Sequence, residues 1–229
     1  MYNEKKTAPE SAKILCSFFD QKEGLDYEII FSDDGSTDFS YEAVKKLGLP
    51  NVKAIRYDDN RGKGSAVREG IVASEGKVVI YTDCDLAYGT DALYQMYQRL
   101  VSDDIDIVIG SRNIGSNGYE GYTVLRKLMS KSYIKLLSFV AGFHYSDSQC
   151  GIKGFTSGAA KKIFEKCAVN GFAFDLEVLL IADREGLKIN EMPVKVINHR
   201  QSDSKVHPIK DAFKMLSDLN RIKKNIKKQ

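Results

Sequence analysis

Apolar positions along this chain fall into two alternating kinds of run. Short unbroken runs rich in β-branched residues occupy residues 27–32 (YEIIFS), 52–57, 77–87 (KVVIYTDCDLA) and 105–109; such runs predict buried strands. Between them the apolar residues recur at helical spacing. Residues 7–21 place Ile14, Leu15, Phe18 and Phe19 on one face, with Thr7 as N-cap and Pro9 in the first turn. Further helices are predicted over residues 39–47, 65–73 and 90–100. The resulting β-α-β-α-β-α-β order predicts an α/β fold with a mainly parallel, doubly wound sheet and helices on both faces. Beyond it, residues 122–143 read as a long amphipathic helix or helix pair, and helices are predicted over 157–167 and 175–185. A late strand at 191–196 belongs at a sheet edge because of Pro193, and a basic helix runs from Ile209.

Composition changes this picture little until charge is located. The 229 residues suffice to bury a full core. The net charge of +3 hides an asymmetry, since residues 205–229 hold eight Lys and Arg against two Asp, an excess of +6 that leaves −3 before them. Such a tail suits an anionic membrane surface, a solvated helix face being the plainer alternative. Cys16, Cys84, Cys150 and Cys167 form no CxxC pair and no zinc spacing, so reduced thiols in a cytoplasmic protein are expected. No signal peptide opens the chain, and no apolar run approaches the roughly 20 residues of a membrane span.

The run at 77–87 carries the densest chemistry. It delivers Asp83 and Asp85 at the C-terminal end of a predicted strand, where open α/β sheets place ligands. Alternation along the strand puts both carboxylates on one side and Cys84 on the other. Paired acids with no neighbouring His favour the hard ions Mg²⁺ or Mn²⁺, shared with substrate phosphates; a polar Asx-turn is the alternative. Asp33 and Asp34 open an acidic, hydroxyl-rich loop in which Ser36, Thr37 or Asp38 can cap the next helix. Asn60-Arg61-Gly62-Lys63-Gly64 joins two glycines, two cations and a helix N-terminus, a combination suited to a diphosphate. It lacks Walker spacing, and no G-x-G-x-x-G follows a first strand, which disfavours a dinucleotide oxidoreductase. Arg112 emerges at the same sheet edge as the two acids. Arg126 and Ser130 share one helix face, and the three together could hold a phosphate, Arg126 as a surface cation being the alternative.

Taken in order, YNE, DDGSTD, NRGKG, TDCDLA, GSR, DSQCGIKGF, FDLE and HRQSDSK resemble the family-2 glycosyltransferases of GT-A fold. The closest likeness is to the polyprenyl-phosphate (dolichyl-phosphate) glucosyl- and mannosyltransferases, over Tyr2 to about Val206. The resemblance implies a catalytic domain over 1–206 followed by a basic C-terminal helix, 207–229. It places Glu4, Asp33 and Lys63 at the nucleoside, with Asp34 in the same donor loop, and Asp83 and Asp85 at the metal and diphosphate. Arg200 and Lys205 would close over the diphosphate, and Asp147, Gln149, Asp175 and Glu177 would bond sugar hydroxyls. The spacing of Arg112, Arg126 and Ser130 resembles the family's acceptor-phosphate site, so Asp85, Arg112, Arg126 and Asp175 are the positions expected to carry catalysis. His144, His199 and His207 are expected to be polar or solvent-facing rather than ligands.

Two departures matter. Ala87 stands where the mannosyl branch often carries Gln, and DSQCG is closer to the glucosyl branch, so UDP-glucose is preferred to GDP-mannose as donor. The family fold also has a central strand before YNE. Either residues precede Met1 in the native protein, or the sheet has a gap with unpaired backbone groups. The expected activity is inverting transfer of a hexose from a nucleotide sugar to a polyprenyl phosphate, at the cytoplasmic face of a membrane and without nucleic acid. A hydroxyl acceptor with Asp175 as base, or a non-catalytic nucleotide-sugar-binding protein, are the rivals; the oligomeric state is left open.

Overall fold

The computed structural model describes residues 1–115, 142, 145–197, 218 and 222. Within them α1 (Thr7–Phe19), β1 (Ile29–Asp34), α2 (Ser40–Lys45), β2 (Val52–Tyr57), α3 (Lys63–Val72), β3 (Val78–Tyr81), α4 (Gly89–Ser102) and β4 (Ile107–Ser111) follow the predicted alternation. Then come β5 (Lys153–Thr156), α5 (Ser157–Phe164), α6 (Phe174–Arg184) and β6 (Ile189–Pro193). Thr7 does not cap α1. The chain is already in a helical turn from Glu4, whose carbonyl accepts from Ala8 N at 2.9 Å, and Lys6 before the helix is helical too.

The strands form two sheets. β1 and β2 pair in parallel from Ile29↔Val52 to Asp34↔Tyr57. The second sheet runs β3-β5-β4-β6, with β6 at its edge as Pro193 required. β4 and β6 are parallel, but β5 is antiparallel to both β3 and β4, so the sheet is mixed. Four residues including a lysine are too few to announce a strand by periodicity, and β5 was absent from the sequence expectation. Alternate residues of β4 feed two cores. Ile107 and Ile109 pack with α5 and α6, and Val108 packs with Met96 and Leu100 of α4, all with the sheet between them. Helices therefore cover both faces, as predicted.

β1 and β3 do not pair with each other. Their facing edges line a cavity of about 2070 Å³, and among the described residues no strand lies between them. Among the described residues the sheet is therefore open between β1 and β3. Its open side explains why Val78, Val79 and Ile80 are only partly buried, where the sequence predicted burial on both faces. Met1 closes one end: its amino group donates to Ser32 O at 2.5 Å, and its carbonyl accepts from Asp34 N at 2.9 Å, one rung of a parallel ladder beside β1.

The four cysteines, all among the described residues, form no disulfide. Among the described residues no helix is long and apolar enough to cross a membrane. The helix predicted at 122–143, the three histidines and most of the basic tail lie outside the described residues. Within that tail Ile222 is fully buried in the core formed with α5 and α6.

Candidate active site

β3 stops at Tyr81, so Asp83 and Asp85 sit in the turn beyond it and strand alternation does not orient them. The turn closes by Leu86 N donating to Asp83 O at 3.1 Å, and Leu86 adopts a left-handed φ of 51°. Ala87 N donates to Asp85 Oδ1 at 3.2 Å, so Asp85 also makes the Asx-turn that was the plainer reading. Ser11 of α1 ties the turn down by donating to Cys84 O at 2.6 Å. Both acids nevertheless line the cleft.

Lys63, the first residue of α3, reaches across to Asp83, with Nζ 2.6 Å from Oδ1. Burial alone would lower the Lys63 ammonium. The nearby carboxylates of Asp83 and then Asp175 outweigh it and leave the pKa raised, so Lys63 is held charged. Behind Asp83 stands Gly151, where a Cβ would collide with the Asp83 carboxylate. That missing side chain is what gives Asp83 its room. Two carboxylates on one turn, open to the cleft, supply a hard-oxygen donor set with coordination left over for phosphate oxygens and water, which fits Mg²⁺ or Mn²⁺. Asp83 and Asp85 would hold it, with Lys63 competing for Asp83.

The glycine-flanked loop differs from its expected role. Asp34, on β1, accepts from Arg61 N at 2.8 Å, from Gly62 N at 2.9 Å and from the Tyr57 hydroxyl at 2.5 Å. Gly64 N donates to Asn170 O at 2.7 Å, and a Cβ on Gly62 or Gly64 would strike the backbone of Asn170 or Val169. These amides are therefore spent inside the protein rather than offered to a diphosphate. The glycines serve close packing against residues 169–171, and Lys63 is the part of the loop that enters the cleft. Asp34 anchors that loop. Asp33 is fully buried, with one oxygen accepting from Ser36 Oγ, Arg56 Nε 3.7 Å from the other, and no hydrogen bond on Oδ2. Glu4 is buried and lines the cleft, its backbone N donating to Ser40 Oγ at 2.7 Å.

The opposite wall comes from β4, β5 and α6. Arg112 grips Asp147 in a two-pronged pair, Nε to Oδ2 at 2.7 Å and Nη2 to Oδ1 at 2.9 Å, with its own backbone N on Oδ2 at 3.1 Å. Asp147 is fully buried, so this pair builds the wall and the carboxylate is committed to Arg112. Gln149 lines the cleft with a buried Nε2 that has no hydrogen-bond partner. Asp175 also lines it, from the first turn of α6. Glu177 instead points inward, accepting from Ala168 N at 3.0 Å and Val169 N at 2.8 Å, and so holds the loop against which Gly62 and Gly64 pack. Cys150 is buried, and burial pushes its thiol up to about 11, which leaves it inert as a nucleophile.

Arg126, Ser130, Arg200 and Lys205 lie outside the described residues. The sequence reading overlooked Lys153 and Tyr81, which bond Asp175, and Tyr88, whose hydroxyl accepts from Gly151 N at 3.2 Å. A lysine inside an otherwise apolar segment, GIKGF, was the one available signal for Lys153.

The family described as Glycosyl transferase family 2 matches residues 1–164. The dolichyl-phosphate beta-glucosyltransferase of Dictyostelium discoideum is 30% identical over 236 residues, covering 97% of this chain and 71% of that protein. The enzyme of the same description from Saccharomyces cerevisiae is 30% identical over 223 residues, covering 89% of this chain and 66% of its own length. Among solved structures, glucosyl-3-phosphoglycerate synthase from Mycobacterium tuberculosis, in complex with Mn²⁺, UDP-glucose and phosphoglyceric acid, superposes with a TM-score of 0.70 at 18% identity, over 97% of this chain and 76% of that one.

Proposed function

The chain belongs to glycosyl transferase family 2, and on that premise we propose that it moves glucose from UDP-glucose to a polyprenyl phosphate with inversion at the anomeric carbon. The observation that carries this reading is that Lys63, Asp83, Asp85, Gln149 and Asp175 all line the one cavity that runs between β1 and β3, with Asp83 and Asp85 where the chain leaves the C-terminal end of β3. The relatives described as dolichyl-phosphate beta-glucosyltransferases support the acceptor class and the sugar.

In this mechanism the nucleoside lies against Glu4, which lines the cleft, with Asp33 buried behind the cleft, its Oδ2 without a hydrogen bond and 3.7 Å from Arg56 Nε. Mg²⁺ or Mn²⁺ bound by Asp83 and Asp85 would supply neutralisation of the charge that gathers on departing UDP. Lys63 adds a fixed cation at the same place. Gln149 and Asp175 hold hydroxyls of the hexose so that the face of the anomeric carbon opposite its bond to the diphosphate is presented to the acceptor. The acceptor phosphate, with a second pKa near 6, is already ionised at neutral pH and attacks without a general base. Its attack from the face opposite UDP gives the β-linked product. Arg112, braced by Asp147, would meet that phosphate together with Arg126 and Ser130. The basic stretch at 205–229 would keep the protein at the cytoplasmic surface of a membrane, where such an acceptor resides.

The test is UDP release from UDP-glucose, Mn²⁺ and a short polyprenyl phosphate, with omission of each component in turn. Release that requires all three supports the reading. Release with GDP-mannose in place of UDP-glucose, or with a sugar hydroxyl in place of the lipid phosphate, reassigns donor or acceptor. No nucleotide release under any combination sinks the catalytic proposal.

A further inference from the structure

Behind the groups that face the donor lie two buried polar side chains, Lys153 and Tyr81, that the mechanism above leaves unused. Lys153 opens β5 and is fully buried. Its register partner across the antiparallel β3–β5 pair is Tyr81, so the two side chains share one face of the sheet. Both reach the same atom. Lys153 Nζ donates to Asp175 Oδ1 and also to Cys150 O at 2.9 Å, while the Tyr81 hydroxyl donates to Asp175 Oδ1 at 2.6 Å. The ammonium also lies 5.8 Å from the centre of the Tyr81 ring.

A sheet position surrounded by core has no packing need for an ammonium. An apolar side chain of similar volume fills such a site at equal or greater stability, because it avoids desolvating a charge. The placement of this charge is better explained by what it holds. Asp175 is carried by α6, whose neighbours Phe174 and Leu176 are fully packed, so its backbone is fixed. Two donors on a single oxygen then fix the carboxylate as well, since turning it would break both bonds. Among the described residues the second oxygen, Oδ2, makes no hydrogen bond, and Asp175 forms part of the cleft lining.

We infer that Lys153 and Tyr81 are positioning residues for the transferred hexose: they pin Asp175 through Oδ1 and thereby aim Oδ2 at a sugar hydroxyl of the donor. This rests on the UDP-glucose reading above. Three elements, β3, β5 and α6, meet at one carboxylate, which is how a rigid scaffold holds a binding group to the tolerance a reaction needs. It also gives a role to β5, antiparallel to both of its neighbours, which delivers Lys153 opposite Tyr81.

The experiment separates the sugar from the nucleotide. With the full chain and Mn²⁺, calorimetric affinities for UDP and for UDP-glucose are measured in the wild type, Tyr81→Phe, Lys153→Met and the charge-free pair Lys153→Met/Asp175→Asn. Tyr81→Phe removes one hydroxyl without burying a charge. It is expected to weaken UDP-glucose severalfold and leave UDP within about twofold, while Lys153→Met weakens UDP-glucose by about tenfold or more. The double variant keeps the fold intact if Lys153→Met alone unfolds, and should show the same loss confined to UDP-glucose. Equal weakening of UDP and UDP-glucose, or no change of either in Tyr81→Phe, overturns the inference. A wild-type protein that binds neither ligand overturns the donor assignment itself, a result distinguishable from the first.

Discussion

Lys63 Nζ lies 2.6 Å from Asp83 Oδ1, so the glycine-flanked loop supplies the counter-charge for the first acid of the D-x-D pair. An ammonium and a divalent cation then compete for one carboxylate. Lys63→Ala is expected to tighten Mn²⁺ binding severalfold in the absence of nucleotide and to weaken UDP-glucose, which loses a fixed cation near its diphosphate. Titration of Mn²⁺ with and without UDP measures both. An unchanged Mn²⁺ affinity would show that Asp83 is not a ligand.

Gly151 is the residue whose missing side chain leaves Asp83 its place. In Gly151→Ala the new methyl group pushes the Asp83 carboxylate aside. That carboxylate is 39% exposed and can move, so stability should fall by no more than about 1 kcal/mol. Turnover should fall about tenfold or more, with Mn²⁺ requirement shifted to higher concentration. Thermal melting and a Mn²⁺ dependence of rate check the two halves. Unaltered kinetics would mean that Asp83 works from another position.

Arg112 and Asp147 are coupled in a way that separates structure from catalysis. Removing the guanidinium leaves a fully buried carboxylate uncompensated. Arg112→Ala should therefore lose about 3–5 kcal/mol of stability, and Asp147→Ala a comparable amount, while the double variant loses clearly less than their sum. Urea unfolding of the four proteins closes the cycle. Arg112→Ala/Asp147→Ala, if folded, is also expected to raise the KM for polyprenyl phosphate more than that for UDP-glucose. Strict additivity would show that the pair is not coupled.

Acid sensitivity has an identifiable surface contribution. Hydrogen bonds from Lys166 and then Lys162 hold the Glu185 carboxyl down to about 2, against an ordinary 4.5. A carboxyl lowered in the folded state stabilises it above the ordinary value, and that contribution is lost as pH falls from about 4.5 towards 2. Glu185→Gln should flatten the fall of melting temperature across that window and change little above it. Superimposable melting curves against pH for the two proteins would remove these pairs from the acid response.

The sequence by itself determined the alternating elements from α1 to β4 and their order. Unbroken apolar runs and helical periodicity are local properties, so β2 emerged with its bounds unchanged and Asp83, Asp85 and Lys63 were placed at the right edge of the sheet. The motif order also carried the family, which the match over residues 1–164 bears out.

Tertiary structure alone decided which groups face the cleft and which serve the wall. Asp34 and Glu177 look like ligand-facing acids in sequence, yet Asp34 accepts from the backbone N–H groups of Arg61 and Gly62, and Glu177 Oε2 accepts from those of Ala168 and Val169. Arg112 and Asp147 are 35 positions apart, and nothing in their separate neighbourhoods announces the pair. The physical reason is the same in each case. A side chain's periodic position fixes the face it leaves from, but its partner depends on which strands become neighbours. The insertion of β5 between β3 and β4, invisible in four residues, is what brings Lys153 opposite Tyr81 and both of them to Asp175.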